Sequence, residues 1–141
     1  MTTEEELDRL RGAGPSGAAP DDLDTLELEV DDPTAALARV RGVLEVVLGH
    51  QDGAWPSLDE WKGLLPGWFV SACVDDREVK DCVLDRWSLR AWLHWLQPDQ
   101  RRWRWWDADA AGGALRIRVL PLERPYLRGS LEWLLRVAAA T

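Results

Sequence analysis

Residues 102–119 read as a β-hairpin, and the remaining elements have to cover its apolar side. Arg102 to Asp107 alternates, Leu115-Arg116-Ile117-Arg118-Val119 alternates again, and Ala110-Ala111-Gly112-Gly113 is the turn region between them. The first of these strands opens within Arg101-Arg102-Trp103-Arg104-Trp105-Trp106, in a chain of 141 residues that has ten Trp but one Phe and one Tyr. An indole is rarely hidden completely, because its N–H wants a partner while its rings want burial. Trp and Arg are also the residues that interfaces favour. The chain is therefore built either to bury large rings in a small core or to show some of them to a partner.

A third strand is marked by Leu26-Glu27-Leu28-Glu29-Val30, which alternates strictly. Asp32-Pro33 then opens a helix, with Asp32 as N-cap and Pro33 at the first helical position. Leu37, Val40, Leu44, Val47 and Leu48 share one face of it, and Gly49 is its stop. Ser57-Leu58-Asp59-Glu60 has the form of a capping box before a short helix that ends at Pro66-Gly67. Trp68 to Val74 reads as a second short buried helix, with a buried strand as the alternative. Asp75-Asp76-Arg77-Glu78 is a polar break. Leu89, Trp92, Leu93 and Leu96 mark a helix capped by Ser88 or Asp85, and Pro98-Asp99 closes it. The last helix is expected from about Pro125 to Ala139, with Leu127, Leu131, Leu134, Leu135 and Ala138 on one stripe.

The order β-α-(short helices)-β-β-α fits an α+β fold, a three-stranded antiparallel or mixed sheet covered on one face by helices. Charge orders the strands. With the apolar positions turned inward, Glu27 and Glu29 face out from one strand, Arg116 and Arg118 from another, and Arg102 and Arg104 from the third. Opposite charges on neighbouring strands stabilise by roughly 0.2–1 kcal/mol per pair. The acidic strand therefore belongs beside residues 115–119, in the order 2-3-1 counted along the chain. That is a split β-α-β unit, and the layout resembles a ferredoxin-like sheet lacking its fourth strand. The resemblance is one of topology and implies no function. Residues 1–22 are expected to be a flexible acidic segment and linker, with a short acidic helix available near the start. Residues 23–141 form a single α+β domain.

Net charge is −8, unevenly spread. Residues 1–85 hold 20 acids and 7 bases, a balance of −13, whereas residues 86–141 hold 5 acids and 10 bases, a balance of +5. Either the halves neutralise each other across the fold, or the asymmetry points to a partner. The acidic start lacks the apolar core of a signal peptide, and two cysteines, Cys73 and Cys82, fit free thiols in a reducing compartment. Both point to the cytoplasm. Fifteen Arg against two Lys, with abundant Ala, Gly and Leu, suggests a GC-rich bacterial genome.

No Gly-rich phosphate loop, H-E-x-x-H or G-x-S-x-G is present, and two His and one Tyr leave few acid–base candidates. Cys73, Cys82, His50 and His94 match no zinc spacing, so neither metal nor cofactor is expected. The leading expectation is a non-enzymatic protein-binding module, an acidic inhibitor or immunity-type protein masking a basic partner. Its candidate residues are Asp75, Asp76, Glu78, Asp81 and Asp85, with Trp92 and Trp95 as an aromatic patch; the bland readings are a solvated helix start and a buried helix. The alternative is a nucleic-acid or nucleotide binder using Arg102, Arg104, Trp106, Arg116 and Arg118, since Arg and Trp faces stack on bases. Against it, those arginines can pair with Glu27 and Glu29, and a net negative chain opposes phosphate binding. Self-association through an exposed Trp patch fits either reading, and no run is long enough to span a membrane.

Overall fold

The structure, a computed structural model, describes residues 1–12, 19–74 and 87–141. Three strands form one antiparallel sheet: β1 (Asp24–Glu29), β2 (Trp103–Ala111) and β3 (Ala114–Pro121), in the order β1-β3-β2. Both outer strands run antiparallel to β3 and therefore parallel to each other. The helical connection from β1 to β2 thus spans the central strand, the split β-α-β arrangement that charge alone indicates. Glu27 lies directly opposite Arg116, and Leu26 opposite Ile117.

Six helices accompany the sheet among the described residues: α1 (Thr3–Leu10), α2 (Pro33–Leu48), α3 (Leu58–Leu64), α4 (Gly67–Ala72), α5 (Leu89–Leu96) and α6 (Gly129–Ala140). Their starts are set by short polar side chains that accept otherwise unmet backbone N–H groups. Asp32 accepts from Ala35 N–H at 3.1 Å, and Ser88 from Ala91 N–H at 3.1 Å. Thr2 and Ser57 each make a full capping box, with Glu5 and Glu60 reaching back. The apolar stripe of α2 (Ala36, Leu37, Val40, Val43, Leu44, Val47, Leu48) is wholly buried. It packs on α6 and on the inner face of β2 and β3, where Trp105, Ile117 and Val119 are fully enclosed.

Three features depart from the sequence pattern. The helix expected over 68–74 forms as α4 (Gly67–Ala72), but only Phe69 in it is fully buried. The last helix starts at Gly129, not Pro125, because Tyr126 and Arg128 are both tied to the Asp24 carboxylate and hold the preceding residues out of the helix. Leu127 consequently lies off the stripe and is 61% exposed. The alternation of β2 is also interrupted. Trp105 pairs with Val119 and Asp107 with Arg118, so Trp106 is the extra residue of a β-bulge. The bulge resets the phase of the strand. Asp107 does not follow Trp103 and Trp105 inward; it stands beside Arg118 on the outer face, and Asp109 beside Arg116.

The N-terminal segment also differs from the flexible tail expected of it. Helix α1 packs on β2 and α2, burying Glu6 and Leu10 to about 1% exposure. The physical cause is Arg101, which lies at the edge of the sheet and needs a carboxylate once it is enclosed. The linker expected within residues 12–22 lies largely outside the described residues.

Candidate functional site

Around the edge of β2 a buried polar network joins four elements. Arg101 donates to both Glu6 carboxylate oxygens, at 2.6 and 2.8 Å, to the Trp103 carbonyl at 2.8 Å and to Gln51 Oε1 at 3.1 Å. Gln51 in turn donates to the Leu96 carbonyl at 3.1 Å. Glu6 also accepts the backbone N–H of Trp105 at 2.7 Å. Because β2 is an outer strand, a side chain of α1 here takes the place that a neighbouring strand's carbonyl would fill. This network has a structural task. Its groups face each other inside the fold and not a shared cleft.

The five residues of the Arg/Trp reading do not form one open basic surface. Arg116 lies between Glu27, at 3.2 Å, and Asp109, at 3.5 Å. Arg118 is held by a two-pronged pair with Asp107, one prong at 2.6 Å. Arg102 is 3.4 Å from Glu123, and Arg104 is 4.0 Å from Glu6. Burial, and then the neighbouring Arg101 charge, press the Arg104 guanidinium below its ordinary range, with Glu6 opposing them. The Trp106 ring lies under the Arg9 guanidinium, 3.4 Å from its centroid, a cation–π contact.

The aromatic pair on α5 separates. Trp92 is fully buried; its indole donates to the Ser130 carbonyl at 3.0 Å, and its ring meets Phe69 edge-on at 4.6 Å. As a surface residue Trp92 is therefore corrected: positions 92, 93 and 96 all face inward, and Trp92 is on the core side with Leu93 and Leu96. Trp95 is half-buried, against His94 at 4.9 Å, on a cleft of about 240 Å³ shared with Trp87, Leu127 and Gly129. Asp75, Asp76, Glu78, Asp81 and Asp85, the acidic run, lie outside the described residues.

The Cys73 thiol donates to the Phe69 carbonyl at 3.4 Å, and Cys82 lies outside the described residues. His50 Nδ1 meets the Val46 carbonyl at 2.8 Å, and the ring packs edge-on against Trp61. Among the described residues no group of three or more His, Cys, Asp and Glu is placed to hold a metal ion. Nor is any helix among them long and apolar enough to cross a membrane.

Sequence reasoning leaves β1 at an outer edge of the sheet, with Glu27 and Glu29 guarding it against pairing. The stretch 21–32 contains seven carboxylates and no base. Asp24 is engaged by Tyr126 and Arg128, Glu27 by Arg116, and Asp32 by the start of α2. Glu29 is exposed and has no ion-pair partner among the described residues. Between this edge and α6 runs a groove of about 340 Å³, floored by Leu26, Leu28 and Leu135 and walled by Arg128, Glu132 and Arg136. The visible signal is the charge run itself.

Comparison with protein-family models, with curated proteins and with solved structures finds no match.

Proposed function

We propose that this chain is a non-enzymatic protein-binding module that masks a basic partner, in the manner of an acidic inhibitor or immunity protein. The observation that carries the reading is the contrast between the two outer parts of the sheet. The hairpin's Arg116 and Arg118 are neutralised by Glu27, Asp107 and Asp109 within the fold. The β1 side keeps Glu29 exposed within a run of seven carboxylates. Exposed carboxylates of one sign steer a basic partner and raise its association rate. A nucleic-acid ligand would instead need free guanidiniums, and at Arg102, Arg104, Arg116 and Arg118 a carboxylate already lies within 4.0 Å. A reducing, cytoplasmic compartment fits a chain with only two cysteines.

The test is affinity capture of the tagged protein from its native host's lysate at moderate salt, with nuclease-treated and untreated halves. A stoichiometric basic protein that survives nuclease and is released by raised salt is the expected result. Capture that disappears with nuclease overturns the reading in favour of the Arg/Trp hairpin.

A further inference from the structure

We infer that the free edge of β1 is a strand-addition site for an extended segment of a basic partner protein, one that alternates apolar residues with Lys or Arg. The inference rests on the protein-binding reading above and names where and how the partner would sit.

The ladder dictates which backbone groups are available. Val30 N–H donates to the Gly113 carbonyl at 2.9 Å, one step beyond the pairing of Glu29 with Ala114. In an antiparallel pair such bonded positions alternate along the strand. Leu28 and Leu26 therefore share Val30's phase and point their N–H and C=O groups at β3. Thr25, Glu27 and Glu29 are in the opposite phase, with their backbone groups directed away from β3, toward the outer edge. Among the described residues the N–H and C=O groups of Glu27 and Glu29 have no backbone partner, and they form the row that an added strand completes.

The side chains decide what kind of strand fits. A residue placed antiparallel and directly opposite Glu27 or Glu29 exchanges both backbone bonds with it and sets its side chain on the same outer face. That position favours Lys or Arg. The intervening residues turn to the other face, over the groove floored by Leu26, Leu28 and Leu135, and these favour apolar side chains. Of the groove's cations, Arg128 is already matched, 2.9 Å from Asp24 and 3.4 Å from Glu132. That pairing leaves the acidic sign of Glu27 and Glu29 in place. A second copy of this chain is the wrong occupant. The two central registers of β1 against itself put Glu27 opposite Glu27 or opposite Glu29, and like charges directly opposite are unfavourable.

The probe is a fluorescent peptide of about seven residues alternating Val with Lys, long enough for a typical strand. Two controls have the same charge: an isomer with its lysines in one block, and the alternating peptide N-methylated at each Lys. The alternating peptide should bind saturably and slow hydrogen exchange at the Glu27 and Glu29 amides. Both controls should bind about tenfold more weakly or worse, because each loses the paired edge. Glu27→Lys/Glu29→Lys should weaken the alternating peptide by at least about tenfold, and Glu27→Gln/Glu29→Gln by less. Circular dichroism of each variant confirms that the sheet is retained. Equal binding of all three peptides would mean attraction by charge alone; it overturns strand addition while leaving the protein-binding reading standing. Absence of binding at low salt, or protection of both amides in a concentration-dependent dimer without peptide, also overturns strand addition. The lysate capture then judges the protein-binding reading separately.

Discussion

Glu6 and Arg101, 95 positions apart, form a two-pronged ion pair in which their side chains are only 1% and 2% exposed. The pair joins the first helix to the first residues of the hairpin, and Arg101 extends it to Gln51 and the Trp103 carbonyl. Removing one partner of such a pair leaves an uncompensated buried charge, at a cost of about 3–5 kcal/mol. Glu6→Gln is expected to destabilise by about that amount, read from urea unfolding midpoints at neutral pH. Glu6→Gln/Arg101→Met should cost clearly less than the sum of the two single changes, since no lone charge remains. Deletion of residues 1–12 should be at least as damaging as Glu6→Gln, because it also uncovers the site of Leu10. A deletion that leaves the midpoint unmoved would show the N-terminal helix to be dispensable.

Two buried tryptophans separate the worth of a satisfied indole from that of its rings. Trp92 and Trp61 are 0% and 1% exposed. Trp92 donates to the Ser130 carbonyl, whereas the Trp61 indole N–H is enclosed without an acceptor among the described residues. Trp→Phe removes a similar volume at both positions. Trp92→Phe additionally removes a made hydrogen bond, a loss of about 0.5–1.5 kcal/mol, while Trp61→Phe removes an unmet donor. Trp92→Phe should therefore be the more destabilising by about 1–2 kcal/mol in chemical denaturation. Equal losses would mean that ring packing alone decides.

The sheet order was readable because it rests on local facts: strict alternation in residues 26–30 and 115–119, glycines at the turn, and opposite charges on the outward positions. Gly112 and Gly113 indeed take the left-handed backbone, with φ of 61° and 74°, that a two-residue hairpin turn demands. The bulge at Trp106 was not readable, because a one-residue slip is chosen by the partner strand, here by Arg118 and Arg116 finding Asp107 and Asp109. The buried task of Glu6 was hidden for a similar reason. A carboxylate among three consecutive glutamates looks solvated until Arg101 is brought against it from far along the chain. A local clue did exist in the capping box of Thr2 and Glu5, the same pattern that marks the helix at Ser57. The α5 helix shows the limit of helical spacing, which places Trp92 and Trp95 side by side without saying which one faces Phe69.

Charge pairing across β1 and β3 gives a test of register. Glu27→Arg would set two guanidiniums directly opposite each other and should cost about 1 kcal/mol. Adding Arg116→Glu restores the opposite pair, but it places a carboxylate near Asp109, 3.5 Å from the original guanidinium. The double variant should thus recover only part of the loss. Full recovery would imply that the Arg116–Asp109 contact contributes nothing, and no recovery would argue against the Glu27–Arg116 alignment.

Tyr126 and Asp24 make the stability of the fold depend on pH at both extremes. Burial, and then the hydrogen bond it donates to Asp24, push the Tyr126 hydroxyl from its ordinary 10.0 up to about 12. The same hydrogen bond is the largest cause holding the Asp24 carboxyl below its ordinary 3.8, with Arg128 adding to it and burial opposing. A raised folded-state value for Tyr126 means that the folded chain keeps its proton where the unfolded chain has lost it. Its contribution is then complete below pH 10 and declines as pH rises toward about 12. The depressed value of Asp24 works in the other direction. Its contribution is present above about pH 4 and declines as the carboxyl is protonated on acidification. Tyr126→Phe should remove this group's alkaline decline and soften the acidic one, because the principal support of the Asp24 carboxylate is gone. Asp24→Asn should abolish its acidic share while leaving part of the alkaline decline, since burial of the Tyr126 ring persists. Urea midpoints of the three proteins between pH 2 and 12 measure both limbs, and groups common to all three cancel in the differences. An alkaline limb unchanged in Tyr126→Phe would mean that the hydroxyl is not held as the structure shows.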